Sequence, residues 1–257
     1  MDNTEKFTGK GADYAAARPA YAPEFLRYLS ERGACSGAVV ADIGAGTGKL
    51  TAALLDLGCS VAAVEPNADM RAEADALLIG RPGYRSVAAK AEDTELPSGS
   101  VDLVTAAQAF HWFDAEAFRR ECHRILKPGG CVVLVWNLRI ASAAVNAACE
   151  EVCRTHCAAF HGFTAGMTED DARVAAFFTN GCEKRTFPND LVYTKEQFIR
   201  RQLSSSYAPA KGDPARAGFA GALAALFDAY AADGLLTVPN ATVSYLGEPG
   251  ERETGME

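Results

Sequence analysis

Chemistry is first legible where glycines stand at alternate positions, in Asp42-Ile43-Gly44-Ala45-Gly46-Thr47-Gly48. Glycines allow a tight turn and let a ligand approach bare backbone, and a helix beginning just beyond them offers unpaired N–H groups and a positive dipole end. A dinucleotide fingerprint, GxGxxG, would need glycine where Lys49 stands, and the phosphate-gripping GxxxxGK[ST] is absent. The spacing is GxGxG instead. Glu65 follows seventeen residues after Gly48, at the end of the next apolar run. A carboxylate there can accept hydrogen bonds from both vicinal hydroxyls of a ribose. Loop and acid together point to a nucleoside ligand; the bland alternatives are a glycine-rich turn without a ligand and a solvated helix-cap acid.

A second stretch, Ala107-Gln108-Ala109-Phe110-His111-Trp112-Phe113-Asp114, is dense in rings. Beside a ligand crevice it would make a pocket wall for a flat or partly apolar substrate, with His111 and Trp112 as the pocket residues. His111 is the candidate general base, because an unperturbed imidazole titrates near neutrality. The competing reading is a hydrophobic corner against a helix capped by Asp114. Further on, Cys149, Cys153 and Cys157 recur every four residues, with His156 and His161 nearby. Structural zinc sites draw residue pairs from separated segments, and no CxxC pair exists, so these thiols read as one buried face of an Ala-rich helix and no metal is expected.

The elements that must position these residues alternate along the first half. Residues 38–43, 59–64, 84–89, 101–106 and 131–136 read as buried strands, and 49–57, 68–78 and 115–126 as helices with apolar residues at three- and four-residue spacing. That alternation predicts an α/β, Rossmann-like doubly wound, mostly parallel seven-stranded sheet with helices on both faces. The turn Lys127-Pro128-Gly129-Gly130 is predicted to end one helix and open the fifth strand. Residues 141–181 turn helical and cysteine-rich; 183–187 and 241–246 supply the last strands, and 196–203 and 215–232 further helices. The economical division is a single domain, 1–257: an N-terminal cap (1–37), a cofactor-binding core (38–137), a helical insertion or lid after strand five (138–211) and a C-terminal helix and strand (212–257).

Composition sets the outer limits. The chain has 257 residues, 49% hydrophobic and 23% charged, with a formal net charge of −8. These proportions exclude disordered and collagen-like classes, and an acidic balance argues against nucleic acid, whose binding rests on Lys and Arg neutralising phosphates. No long apolar stretch or basic leader stands out, and eight cysteines spread through predicted elements fit a reducing compartment. A soluble, cytoplasmic protein acting on a small molecule is expected, with no required disulfide.

These residues resemble the class I S-adenosyl-L-methionine-dependent methyltransferases, particularly the small-molecule branch with type 11 domains that includes trans-aconitate methyltransferase. DIGAGTGK resembles the family's first motif, VEPNADM (64–70) its second, AEDTELPSGSVDLV (91–104) the adenine-binding segment and fourth strand, and LKPGG the turn before strand five. The resemblance covers residues 14–137. It implies that Gly44, Ala45 and Gly46 lie against the methionine part of the cofactor, that Glu65, with Pro66 beside it, binds the ribose, and that Met70 covers the adenine. Glu92 stands where many relatives have an Asp that meets the adenine amino group, Asp93 offers its backbone N–H beside it, and Gln108 joins the cofactor residues at the end of strand four. Tyr14-Ala15-Ala16-Ala17-Arg18-Pro19-Ala20-Tyr21 resembles the YxxxRPxY segment of this branch, in which Arg18 would pair with the cofactor carboxylate and Tyr14 and Tyr21 would close the site.

The implied reaction is in-line transfer of a methyl group from a sulfonium to a substrate nucleophile, largely by positioning. An oxygen, nitrogen or carboxylate acceptor is compatible with the residues. Three alternatives stay open: an NAD-dependent oxidoreductase, disfavoured by Lys49; an aminopropyl transferase, which would leave Arg18 without a carboxylate and would want more acids; and a non-enzymatic cofactor-binding or regulatory protein.

Overall fold

Each short apolar run of the first half forms a strand because its β-branched residues are buried on both sides of a parallel sheet. In the computed structural model, which describes residues 20–163, 170–205 and 207–250, α1 (Pro23–Glu31) leads into β1 (Val39–Ile43), α2 (Lys49–Asp56), β2 (Ser60–Val64), α3 (Ala68–Leu78), β3 (Tyr84–Val87) and β4 (Val101–Ala107). There follow α4 (Ala115–Ile125), β5 (Leu126–Arg139), α5 (Ala144–His156), α6 (Ala172–Phe177), β6 (Glu183–Pro188), β7 (Leu191–Tyr193), α7 (Lys195–Leu203), α8 (Ala215–Tyr230), β8 (Leu236–Val238) and β9 (Asn240–Gly247).

The seven-stranded sheet has the order β3-β2-β1-β4-β5-β9-β6, and only β9 runs against its neighbours. The chain works outward from β1 through β2 to β3, then returns to pair β4 with β1 on its other side. Strand order thus reverses between β1 and β4, and the crevice at the carboxyl ends of two such strands is where open α/β sheets bind ligands. The period of two in β5 serves both faces: Val132, Leu134 and Trp136 join one core cluster with Phe110, Phe118 and Phe177, whereas Val133 and Val135 join another with Phe25, Leu29, Leu50 and Leu54. Each fully buried side chain of this size contributes on the order of 1.5–3 kcal/mol.

The Lys127–Gly130 segment is not a free turn. Helix α4 ends at Ile125 and β5 begins at once, so Val101 pairs with Leu126 and Leu103 with Cys131, leaving 127–130 as a bulge opposite Asp102. The Lys127 ammonium donates to both oxygens of Asp102 at 2.8 and 2.9 Å, while the Val39 N–H donates to Oδ2 at 2.9 Å. A Cβ on Gly130 would lie 2.8 Å from Leu126 Cδ2 and 3.0 Å from two backbone oxygens, which explains glycine there.

The helical part also differs from a single insertion after strand five. A third core cluster joins Val145, Cys149 and Cys153 of α5 to Phe198 of α7, Phe219 and Leu223 of α8, and Leu236 and Val238 of β8. The layer is therefore assembled from two excursions, one after β5 and one between β6 and β9, and it includes a small antiparallel β7–β8 sheet that periodicity did not predict. Cys149, Cys153 and Cys157 line one buried face of α5 or its end, and all eight cysteines are free thiols. Arg139, from the carboxyl end of β5, donates to Cys149 Sγ at 3.3 Å and stacks 4.0 Å over the Phe163 ring. The Cys149 thiol is held below the usual thiol range, first by the hydrogen bond from Cys153 and then by Arg139. Arg201 is half-buried in this layer and also acts on Cys149. No described helix is long and apolar enough to cross a membrane.

Candidate functional site

The glycine loop is held by the ends of β1 and β2. The N–H groups of Gly44 and Ala45 donate to the Val64 carbonyl at 2.9 and 3.1 Å, and the N–H of Gly46 donates to Glu65 Oε2 at 2.9 Å. All three glycines are in the left-handed region, with φ of 67°, 58° and 76°. Their surroundings separate their roles. A Cβ on Gly48 would sit 2.7 Å from Leu78 Cδ1 and 3.1 Å from Ala74 Cβ, so Gly48 provides the close helix packing for which Lys49 had looked like a missing glycine. A Cβ on Gly44 would lie 2.6 Å from Ala109 Cβ and 3.2 Å from Phe113, which brings the aromatic segment directly onto the loop. A Cβ on Gly46 would meet nothing within 4 Å, so open space adjoins the loop at that point.

Glu65 is buried, with Oε1 accepting from the Asn67 N–H at 2.9 Å opposite the Gly46 bond. Arg71 donates to the carbonyls of Glu65 and Pro66 at 2.8 and 3.2 Å, fixing the strand end from behind. Burial pushes the Glu65 carboxyl up, and the bonds from Asn67 and Gly46 draw it partly back. Each carboxylate oxygen uses one of its two acceptor directions internally, which leaves capacity for two hydroxyl donors.

Behind the loop lies Asp42, quoted in the motif without a role. It is 1% exposed, its oxygens accepting from Thr51 Oγ1 at 2.6 Å and Thr105 Oγ1 at 2.8 Å. Burial pushes its carboxyl up to about 6 against the pull of the two threonines, and Glu65 adds to the rise. A carboxyl placed at such cost beside a ligand loop is a mark of a functional site. An acid inside an otherwise apolar strand was the signal available in the sequence.

The adenine side of the expected site is less open than the motif suggests. Met70, in the first turn of α3, is buried, its N–H donating to the helix-capping Asn67 Oδ1 at 3.0 Å. Glu92 Oε1 accepts the Asp114 N–H at 2.9 Å, and the Asp93 N–H is already directed to the Lys90 carbonyl at 3.3 Å. The whole turn is clamped from α4 by Glu121, a residue to which the motifs assigned nothing. It accepts the Thr94 N–H at 2.8 Å, the Thr94 hydroxyl, and Arg124 Nε and Nη2 at 2.7 and 2.6 Å. Burial alone would raise the Glu121 carboxyl; Arg124 and Thr94 more than offset that and hold it low.

At the carboxyl end of β4, Gln108 takes a positive φ of 57° while its N–H donates to the Val135 carbonyl at 2.8 Å. A non-glycine residue held in that region is strained, and such strain clusters at ligand sites. The 3₁₀ turn Phe110–Trp112 then divides the rings. Phe110 is 1% exposed and packs edge-on to Trp136 and Phe177, whereas His111 and Trp112 stay half-buried with ring centroids 4.7 Å apart. Asp114 caps α4 by accepting from Glu116 and Ala117 at 3.1 and 3.0 Å. The corner is thus core on one side and surface on the other. The Trp136 indole N–H donates to His111 Nδ1 at 3.4 Å.

Tyr14 and Arg18 lie outside the described residues. Tyr21 is described, half-buried, its ring 5.8 Å from Phe25. The entry to α1 is tied to the carboxyl edge of β5: Asn137 and Asn189 donate to the Ala20 carbonyl at 3.2 and 2.9 Å, and the Ala22 N–H donates to Thr242 Oγ1 at 3.1 Å. Among the described residues no group of three or more His, Cys, Asp or Glu is arranged to hold a metal ion.

A glycine loop with open space at Gly46, an acid with spare acceptor capacity at the end of β2, and a reversal of strand order between β1 and β4 define a Rossmann-like fold whose crevice could receive a nucleoside. Residues 41–134 match the type 11 methyltransferase family, whose model describes a methyltransferase domain. Through this segment the chain carries a methyltransferase domain. It is 41% identical over 126 residues to an uncharacterized methyltransferase of Mycobacterium tuberculosis, covering 49% of each chain. It is also 35% identical over 130 residues to one of Schizosaccharomyces pombe, covering 50% of this chain and 51% of that one. The chain thus spans about half the length of the curated relatives it matches. In fold it is similar to the solved structure of a candidate type II methyltransferase from Anaeromyxobacter dehalogenans, with a TM-score of 0.67, 24% identity, and 90% of this chain and 97% of that one covered.

Proposed function

We propose that the chain transfers the methyl group of S-adenosylmethionine to a small-molecule acceptor, with the Gly44–Gly46 loop and Glu65 holding the cofactor and the turn carrying His111 and Trp112 facing the acceptor. The observation that carries this reading is the packing of Ala109 and Phe113 onto Gly44, which sets the ring-rich turn directly beside the loop. The residues fit the cofactor: a nucleoside needs paired acceptors for its ribose, supplied by Glu65, and close backbone approach, supplied at Gly46. The cofactor supplies an electrophilic methyl carbon on a sulfonium.

The protein's own part is positional. Gln108 and Met70 border the crevice, Glu92 and Asp93 hold the adenine-side turn, and Pro66 shapes the strand end. His111 and Trp112, half-exposed beyond β4, with Tyr21 across the edge of β5, orient the acceptor and exclude water. The helical layer, fastened to the end of β5 through Arg139, covers the acceptor side as a lid. The net charge of −8 fits a small acceptor rather than a nucleic acid.

The test is incubation with methyl-labelled S-adenosylmethionine and a panel of small carboxylates, phenols and amines. Label appearing in a small-molecule product supports the reading. Cofactor binding without transfer to any of them would favour the regulatory alternative.

A further inference from the structure

The Trp136–His111 contact bears on what His111 can do, and the following rests on the proposal that His111 faces the acceptor. An indole N–H is a donor only, so a ring nitrogen that receives it must present its lone pair. His111 Nδ1 lies 3.4 Å from Trp136 Nε1 and is therefore the unprotonated nitrogen. In the neutral ring the proton then sits on Nε2. The indole is held firmly in place, since Trp136 is 1% exposed, lies in β5 between Val135 and Asn137, and packs edge-on to Phe110 and Tyr245.

We infer that Trp136 is a positioning residue that locks His111 as the Nε2–H tautomer, so that His111 meets the acceptor as a hydrogen-bond donor and not as a general base. The single lone pair of the neutral ring is taken up on the Trp136 side, and protonating Nδ1 would set two N–H groups against each other. An acidic group that acts on the ring is Asp171, whose carboxylate would favour the charged form. That carboxylate is already engaged by the Arg173 side chain, Nε and Nη2 donating at 2.8 Å each, and it accepts the Arg173 N–H as the cap of α6. The acceptor's attacking atom must accordingly bring its own free lone pair, as an oxygen already ionised on binding does. In the transfer that atom forms the new bond to carbon, the carbon–sulfur pair returns to sulfur, and no proton passes to the protein.

The tautomer is read directly, without any turnover, from the two ring ¹⁵N shifts of His111 in histidine-labelled protein about two units above the ordinary histidine pKa. His111→Gln identifies the signal among the four histidines. Wild type is expected to show a pyridine-type Nδ1 and a protonated Nε2, and Trp136→Phe, which keeps an aromatic ring but no donor, a mixture of tautomers. A protonated Nδ1 in wild type overturns the inference whether or not the variant folds, as does an unchanged ratio in folded Trp136→Phe. Once an acceptor is found, His111→Ala should slow transfer about 10- to 100-fold and His111→Gln, whose amide can donate from the Nε2 position, should recover most of it. Equal losses in both variants would restore the base. Failure to find any acceptor would count against the methyltransferase reading and leave the tautomer result standing.

Discussion

Replacing Asp42 with Asn should make the protein more stable near neutral pH and somewhat less stable in acid. Asp42 is 1% exposed and its carboxyl is pushed up to about 6 by burial, with Glu65 adding to the rise. An ordinary aspartate titrates near 3.9, and each unit of difference is about 1.4 kcal/mol, so ionised Asp42 costs the folded state about 3 kcal/mol. The native state binds more protons than the unfolded one between about pH 4 and 6, and the Asp42 contribution to stability is therefore present in acid and lost as pH rises through that window. An amide in its place has no such dependence. The amide can stay bonded, because the hydroxyls of Thr51 and Thr105, now donors at 2.6 and 2.8 Å, can rotate to accept. Allowing about 1 kcal/mol for imperfect bonds, the variant should gain about 2 kcal/mol at pH 7.5 and lose about 1 kcal/mol near pH 4. Urea unfolding of both proteins across that range measures the difference. A wild-type-minus-variant stability that does not change with pH would refute the reasoning, since no protonation of Asp42 would then be linked to folding.

Three further outcomes follow from the same geometry. Glu65→Gln removes the charge that a ribose would bind and should weaken S-adenosylhomocysteine binding about 10- to 100-fold in calorimetry while the fold persists. Gly48→Ala places a Cβ 3.1 Å from Ala74 Cβ at φ 76° and should lower stability by about 2–4 kcal/mol, whereas Gly46→Ala, with nothing within 4 Å, should cost only about 1–2 kcal/mol for its backbone, as read by chemical denaturation. Glu121→Ala strands Thr94 and Arg124 and should cost about 2 kcal/mol, discounted because Arg124 is 38% exposed; because the Glu121 carboxyl is held low, that loss should shrink as pH falls below the ordinary glutamate value.

The strands and helices around the crevice were legible because burial on both faces demands unbroken apolar runs, and residues 49–56 and 68–78 carry helical spacing. The glycine loop was legible because the positive φ of Gly44, Gly46 and Gly48 favours glycine, and Glu65 because it is an acid directly after an apolar strand. What escaped depends on partners distant in sequence. Gly48 packs on Leu78 and Ala74 of α3, Glu121 reaches back to Thr94, and Asn137 holds Ala20. Periodicity also could not show that α5 shares a core with α7 and α8 across β6, since Cys149, Cys153 and Phe219 are linked only by tertiary packing. The Trp136–His111 bond escaped for the same reason, because 25 residues separate its donor from its acceptor.

The central claim is that the crevice between the ends of β1 and β4 binds S-adenosylmethionine. Calorimetric titration of the wild-type chain with S-adenosylhomocysteine, run beside an identical titration with NAD, tests it most directly. The expected result is saturable binding of S-adenosylhomocysteine at one site per chain, tighter than any binding of NAD. No heat with S-adenosylhomocysteine, or tighter binding of NAD, would contradict it.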